Sequence, residues 1–228
     1  MNTSYLSLLI QRQAQKYGER VALKYRDYAT STWIPVSWNQ FSEKVSKVSR
    51  ALVALGVQAQ ENIGVFSQNK PECLYTDFGA FGVRAVTVPL YATSSEAQVH
   101  YILQDAAIRF LFVGEQYQYD VASRVQNLCH TLKRIIVFDS SVKLAPGDTN
   151  SLYYEDFLAL GDNMELQQQV DKLTAESSPQ DLANILYTSG TTGESKGVML
   201  HHSCYEAAFK AHHGRLTTLG EQDVVMNF

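Results

Sequence analysis

The 228-residue chain is 45% hydrophobic and 18% charged with five prolines, a composition that sets aside disordered, collagen-like and low-complexity classes and is long enough to bury a real core without disulfides or a structural metal. Its 19 Lys and Arg against 23 Asp and Glu give a net charge of −4, and the basic residues are scattered, which argues against a nucleic-acid partner. Cys73, Cys129 and Cys204 are odd in number and lack CxxC spacing, as befits free thiols in a reducing, cytoplasmic setting, and no apolar stretch has signal-peptide or membrane-spanning character.

Taken along the chain, residues 37–56 give the first clear element. Trp38, Phe41, Val45, Val48, Leu52 and Leu55 recur at spacings of three and four and make one apolar helical stripe. Ser37 and Gln40 form a capping-box pattern, Val36 and Phe41 occupy staple positions, and Gly56 supplies the left-handed residue that ends a helix. Residues 63–66 then read as a strand. A helix follows with Pro71 in its first turn and Leu74, Phe78 and Phe81 on one face, then a strand over residues 85–90. Ser94, Ser95 and Glu96 open a helix carrying Val99, Ile102 and Leu103; residues 110–113 form a strand. A further helix shows Tyr117, Val121, Val125 and Leu128, and residues 135–138 a further strand. Short apolar runs separated by single amphipathic helices predict an α/β fold with a mostly parallel, helix-covered sheet, because a strand buried on both faces cannot alternate with polar residues.

Two stretches break the rhythm, residues 139–151 and 162–181. Both are polar, with Pro and Gly or a Gln run, and read as surface connections. After Gly220, the run Val224, Val225, Met226, Asn227, Phe228 starts like a strand. A domain that stops there would leave a strand unpaired, so the chain is expected to be a piece of a larger one.

The segment that carries chemistry follows a predicted buried strand over residues 182–186. It reads Tyr187, Thr188, Ser189, Gly190, Thr191, Thr192, Gly193, Glu194, Ser195, Lys196, Gly197. Glycines let a backbone turn its N–H groups toward an anion, hydroxyls add neutral donors and a lysine adds a mobile positive charge, which together suit a triphosphate. The Walker A spacing is not met, because Glu194 and Ser195 separate Gly193 from Lys196 and Gly197 stands where the metal-binding hydroxyl should be. No G-x-G-x-x-G is present. Val198, Met199 and Leu200 lead from the loop into a strand, so a plain Gly/Thr-rich hairpin without a ligand is the competing reading.

Residues 187–197, YTSGTTGESKG, with the strand that follows, resemble the phosphate-binding signature of the adenylate-forming (AMP-binding) superfamily, which includes acyl-CoA synthetases, luciferases and peptide-synthetase adenylation domains. Upstream, residues 67–72 (SQNKPE), 86–91 (VTVPLY), 93–95 and 101–103 (YIL) are most similar to the long-chain fatty acid–CoA ligase branch, and residues 223–228 (DVVMNF) resemble the start of its next motif. The resemblance implies an incomplete N-terminal domain over residues 1–228, built on helix-covered sheets, with the adenine- and ribose-binding motifs and the C-terminal domain lying beyond it. It implies a ligase whose small-molecule partners are a fatty acid, ATP and CoA: the carboxylate attacks the α-phosphate of MgATP, and CoA then displaces AMP. By position, Thr188 would be the hydroxyl near Mg2+. Ser189, Gly190, Thr191, Thr192 and Gly193 would wrap the β- and γ-phosphates, and Lys196 would neutralise charge on the departing pyrophosphate. Ser195 stands where the family usually has Pro, and His201 where Thr is common. On its own this chain is not expected to make acyl-CoA. A ligase acting on an acyl-carrier protein, another carboxylate-adenylating enzyme and a non-catalytic nucleotide-binding module are the alternatives. Peripheral membrane contact is compatible with a lipid substrate, although no basic amphipathic helix argues for it.

Other residues have plainer readings. His201, His202, His212 and His213 lack a completed ligand set, and His202 is expected to cap or pack after the loop strand. Asp77, Asp105 and Glu155 read as solvated lone acids, and Trp33, Trp38, Tyr75, Phe78 and Phe81 as core more than as an acyl cavity. Cys204 beside His202 lacks an orienting acid and is not a nucleophile pair.

Overall fold

A computed structural model describes residues 5–27, 30–188, 195–215 and 220–225. Helix α1 (Tyr5–Tyr17) and an antiparallel hairpin of β1 (Val21–Asp27) and β2 (Thr32–Ser37) come first. None of the three was expected, since none carries a clean apolar period. Helix α2 (Trp38–Ala54) follows, capped as predicted: the Gln40 amide donates to Ser37 Oγ at 3.2 Å and the Ser37 amide to Gln40 Oε1 at 2.9 Å. Val36 and Phe41 are both buried, and Gly56 takes the left-handed conformation at φ 76°. Ser37→Ala should destabilise the chain by about 1 kcal/mol in a urea melt and Ser37→Thr by much less, because threonine keeps the accepting oxygen.

The main sheet has seven strands: β3 (Asn62–Phe66), β4 (Val86–Leu90), β5 (Phe110–Val113), β6 (Arg134–Val137), β7 (Ser151–Tyr153), β8 (Leu182–Thr188) and β9 (Lys196–His201). Their order is β7-β6-β5-β3-β4-β8-β9, parallel throughout except that β9 runs antiparallel to β8. The strands are linked by α3 (Pro71–Gly82), α4 (Glu96–Asp105), α5 (Gln116–Gln126), α6 (Tyr154–Leu160) and α7 (Gln167–Ala175), and α8 (His202–Arg215) follows β9. One core layer packs α4 and α5 residues such as Leu103 and Val121 against Val88, Leu111 and Ile135. The other packs α2, α3, α6 and α7 residues such as Leu52, Ala80 and Phe157 against Ile63, Phe112 and Ile136. Successive strand residues thus alternate between two buried layers, the physical reason the strands read as unbroken apolar runs.

Four expectations need correction. The predicted surface connection over residues 162–181 holds a 3-10 turn (Met164–Leu166) and α7. Leu166, Val170 and Leu173 supply the buried side of this segment while Gln168 and Gln169 face out. The buried Arg50 reaches it from α2, with Nε donating to Gly161 O at 2.6 Å and Nη1 to Gln167 Oε1 at 2.8 Å. On α3, Leu74 is exposed and Tyr75 takes the buried place. Tyr117 on α5 and Leu128 just past its end are exposed while Tyr119 is buried, its hydroxyl donating to Asp148 at 2.6 Å in the 139–151 connection. Val224 and Val225 are exposed and belong to no strand, and 226–228 lie outside the described residues.

Candidate functional site

Strands β8 and β9 form the hairpin that frames the predicted phosphate loop. Leu186 pairs with Val198, Tyr187 with Gly197 and Thr188 with Lys196. The last pair places the two predicted site residues opposite each other at the hairpin's mouth, and both are exposed. Strand alternation puts this pair on the sheet face opposite Tyr187. Ser189, Gly190, Thr191, Thr192 and Gly193 lie outside the described residues, as does Glu194.

Beneath the mouth, Tyr187 lies across Gly197. A Cβ at Gly197 would sit 2.8 Å from Ile185 Cγ2 and 3.2 Å from the Tyr187 ring. A side chain at the motif's last glycine would press first on Ile185 and then on the Tyr187 ring. The Tyr187 hydroxyl donates to the Asp105 carboxylate at the end of α4, and its ring meets Tyr101 edge-on at 6.3 Å. Burial, reinforced by Asp105, pushes the phenol well above its ordinary range. Asp105 is exposed, as expected of a solvated acid, but it is not alone: it accepts the motif tyrosine's hydroxyl.

The base of the hairpin is tied separately. Asn184 donates to Thr87 Oγ1 at 2.5 Å and accepts from the Tyr205 hydroxyl at 2.6 Å. Arg84 grips Asp181 with two nitrogens at 2.9 and 3.3 Å, and the Asp181 and Pro179 carbonyls receive the first amides of α8. His202 is buried against Phe81, ring centroids 5.2 Å apart, and neither of its ring nitrogens has a hydrogen-bond partner among the described residues. The packing expected of His202 is thus what the structure has. Asp77 departs from its solvated reading: burial, partly offset by the Thr87 hydroxyl, raises its carboxyl to about 7. Glu155 is exposed as expected. Of the aromatics, Tyr75, Phe78 and Phe81 pack into the core, whereas Trp33 is exposed on β2 with Arg26 above its ring at 5.9 Å.

Asp77 and His202 give opposed pH dependences. Burial lowers His202 from 6.5 to about 4, so the folded chain lacks a proton there that the unfolded chain holds, and stability falls as pH drops through that window. The raised Asp77 makes the folded chain hold an extra proton, and stability falls as pH rises from 3.8 toward about 7. Glu72, raised by burial, adds to the second slope. Asp77→Asn should therefore yield a urea midpoint that climbs between about pH 4 and 6.5, and His202→Phe one that declines over the same range. Unaltered slopes in both variants would exclude these two groups.

Among the described residues no group of three His, Cys, Asp or Glu is placed to hold a metal ion, and no helix is long and apolar enough to cross a membrane. Residues 10–228 match the family described as AMP-binding enzyme. The long-chain-fatty-acid–CoA ligase ACSBG2 of Rattus norvegicus is 28% identical over 224 residues, covering 96% of this chain and 33% of that protein. Fatty acyl-CoA synthetase A of Dictyostelium discoideum is 32% identical over 174 residues, covering 74% of this chain and 25% of that protein. The chain thus spans about a quarter to a third of the length of the curated relatives it matches. Two solved structures share the fold. The anthranilate CoA ligase AuaEII in complex with anthranoyl-AMP superposes with a TM-score of 0.75 at 21% identity over 90% of this chain and 36% of that one. A long-chain-fatty-acid–CoA ligase from Archaeoglobus fulgidus superposes with a TM-score of 0.69 at 23% identity over 96% of this chain and 40% of that one.

Proposed function

Since the chain belongs to the AMP-binding enzyme family, we propose that its β8–β9 hairpin holds the phosphates of ATP in a ligase that activates a long-chain fatty acid as its adenylate and passes the acyl group to CoA. The observation that carries this reading is the Thr188–Lys196 pair, which places a hydroxyl-bearing and an ammonium-bearing residue opposite each other at the two ends of the 189–195 segment. The curated relatives supply the substrate class, and a cytoplasmic setting suits three free cysteines.

In this mechanism the peptide amides and hydroxyls of residues 189–193 wrap the β- and γ-phosphates. The Lys196 ammonium follows the charge that grows on pyrophosphate as it leaves the α-phosphate, a charge that exists mainly in the transition state and is best met by a cation already in place. The site's donor set fits Mg2+ carried in with the nucleotide: a hydroxyl is a hard oxygen ligand, and Mg2+ keeps most of its other positions for phosphate and water. Thr188 would contribute that oxygen. The ion would supply charge neutralisation across the phosphates.

The test is calorimetric titration of the chain with MgATP and with magnesium tripolyphosphate. The expected result is saturable binding of both, because the hairpin recognises phosphate and not the base. Binding of neither would overturn the reading.

A further inference from the structure

We propose that Asp105 is a positioning residue of this site: through Tyr187 it fixes the loop end of the β8–β9 hairpin, so that Thr188 and Lys196 stay in register toward the phosphates. The inference rests on the phosphate-holding reading and assigns a partner outside the signature to it.

Among the described residues β9 is the terminal strand and β8 lies beside β4, and the one backbone pair matched between β8 and β4, Thr87 with Asn184, lies away from the loop end. Asn184 stands four residues before Thr188, and Pro89 leaves β4 one backbone donor short. Backbone pairing between β8 and β9 keeps the two strands together but does not fix the pair of them against the protein. The Tyr187 hydroxyl on Asp105 and its ring edge on Tyr101 tie the loop end to α4. They act one residue from Thr188 and, across the ladder, one from Lys196.

Two features make the tie specific. Gly197 opposite Tyr187 leaves room on that face for both Ile185 and the Tyr187 ring, so a side chain there would crowd the anchor. Asp105 is the last residue of α4, where a carboxylate is disfavoured by the negative end of the helix dipole. A carboxylate there is poorly explained by the helix and well explained by the hydroxyl it receives.

The experiment uses the unliganded 228-residue chain. Tyr187→Phe keeps the ring over Gly197 and removes only the hydroxyl. It should speed amide hydrogen exchange about tenfold in residues 186–188 and 196–198, while β3, β5 and the thermal midpoint change little. Asp105→Ala should do the same, Asp105→Asn should stay near the wild type because it keeps an accepting oxygen, and the Tyr187→Phe, Asp105→Ala pair should be no worse than either alone. Affinity for magnesium tripolyphosphate should fall in parallel, several-fold in Tyr187→Phe and Asp105→Ala. Exchange unchanged at the hairpin, or accelerated uniformly through the sheet, overturns the anchor; accelerated exchange with unaltered affinity overturns its positioning role. Failure of the wild type to bind tripolyphosphate counts against the phosphate-holding reading, while the exchange data still decide whether the anchor exists.

Discussion

Lys196→Ala should weaken binding of magnesium triphosphate roughly ten- to a hundredfold, the effect of removing one charge-assisted hydrogen bond of about 1.5–3 kcal/mol. Lys196 is exposed and stands across the ladder from Thr188, so its loss leaves the fold intact and the deficit belongs to the ligand. Lys196→Arg should recover part of the affinity, since it restores the charge with a planar head in place of a compact one. The wild-type advantage should also shrink as salt is raised, because an exposed cation is screened within about 10 Å at 0.1 M. Calorimetry across the three proteins at two salt concentrations reads all of this, and an alanine variant within twofold of the wild type would remove Lys196 from the site.

The largest effect on stability is expected at Gly161, which caps α6. A Cβ there would lie 2.2 Å from the Lys47 carbonyl oxygen and 3.2 Å from the Ala51 amide nitrogen, both backbone atoms of α2. A helix backbone cannot give way as a side chain can, so α6 and α2 must part. The Gly161 carbonyl is also the acceptor for Arg50 Nε, and a buried guanidinium that loses its acceptor adds its own penalty. Gly161→Ala should cost on the order of 3 kcal/mol, or roughly 10 °C in melting temperature for a chain of this size. Its φ of −82° is one alanine adopts freely, so the loss would report the collision and not backbone strain. Gly147→Ala is a useful contrast: φ is +79° but nothing lies within 4 Å, so it should lose only about 1 kcal/mol.

What could be read from the sequence is what local chemistry determines. The Ser37 capping box, the apolar strand runs and the glycine after α2 act over a few residues and are written in order. Thr188 and Lys196 are picked out by resemblance to a family signature, and that they face each other across the β8–β9 ladder is known only from the register of the strands. Long-range partners were not legible. Asp105 and Tyr187 are 82 residues apart, and a lone acid at a helix end carries no local sign of the hydroxyl it will meet. Asp77 likewise became a buried acid only through packing of α3 under the Thr87 strand. Helix α7 was missed because one apolar residue per turn is too faint a period beside a run of glutamines.

The strand order sets a timetable for the nascent chain. Strands β3 to β7 assemble into a contiguous five-stranded unit with both helical layers begun, whereas β8 must return across them to lie beside β4, formed some ninety residues earlier on the ribosome. Until the hairpin emerges, the β4 edge with Val86 and Val88 waits without its neighbour, a template for any other strand in reach. The β8–β9 hairpin is therefore also the piece that closes this edge. A synthesis pause just before residue 182 would prolong the interval in which the chain is most prone to aggregate.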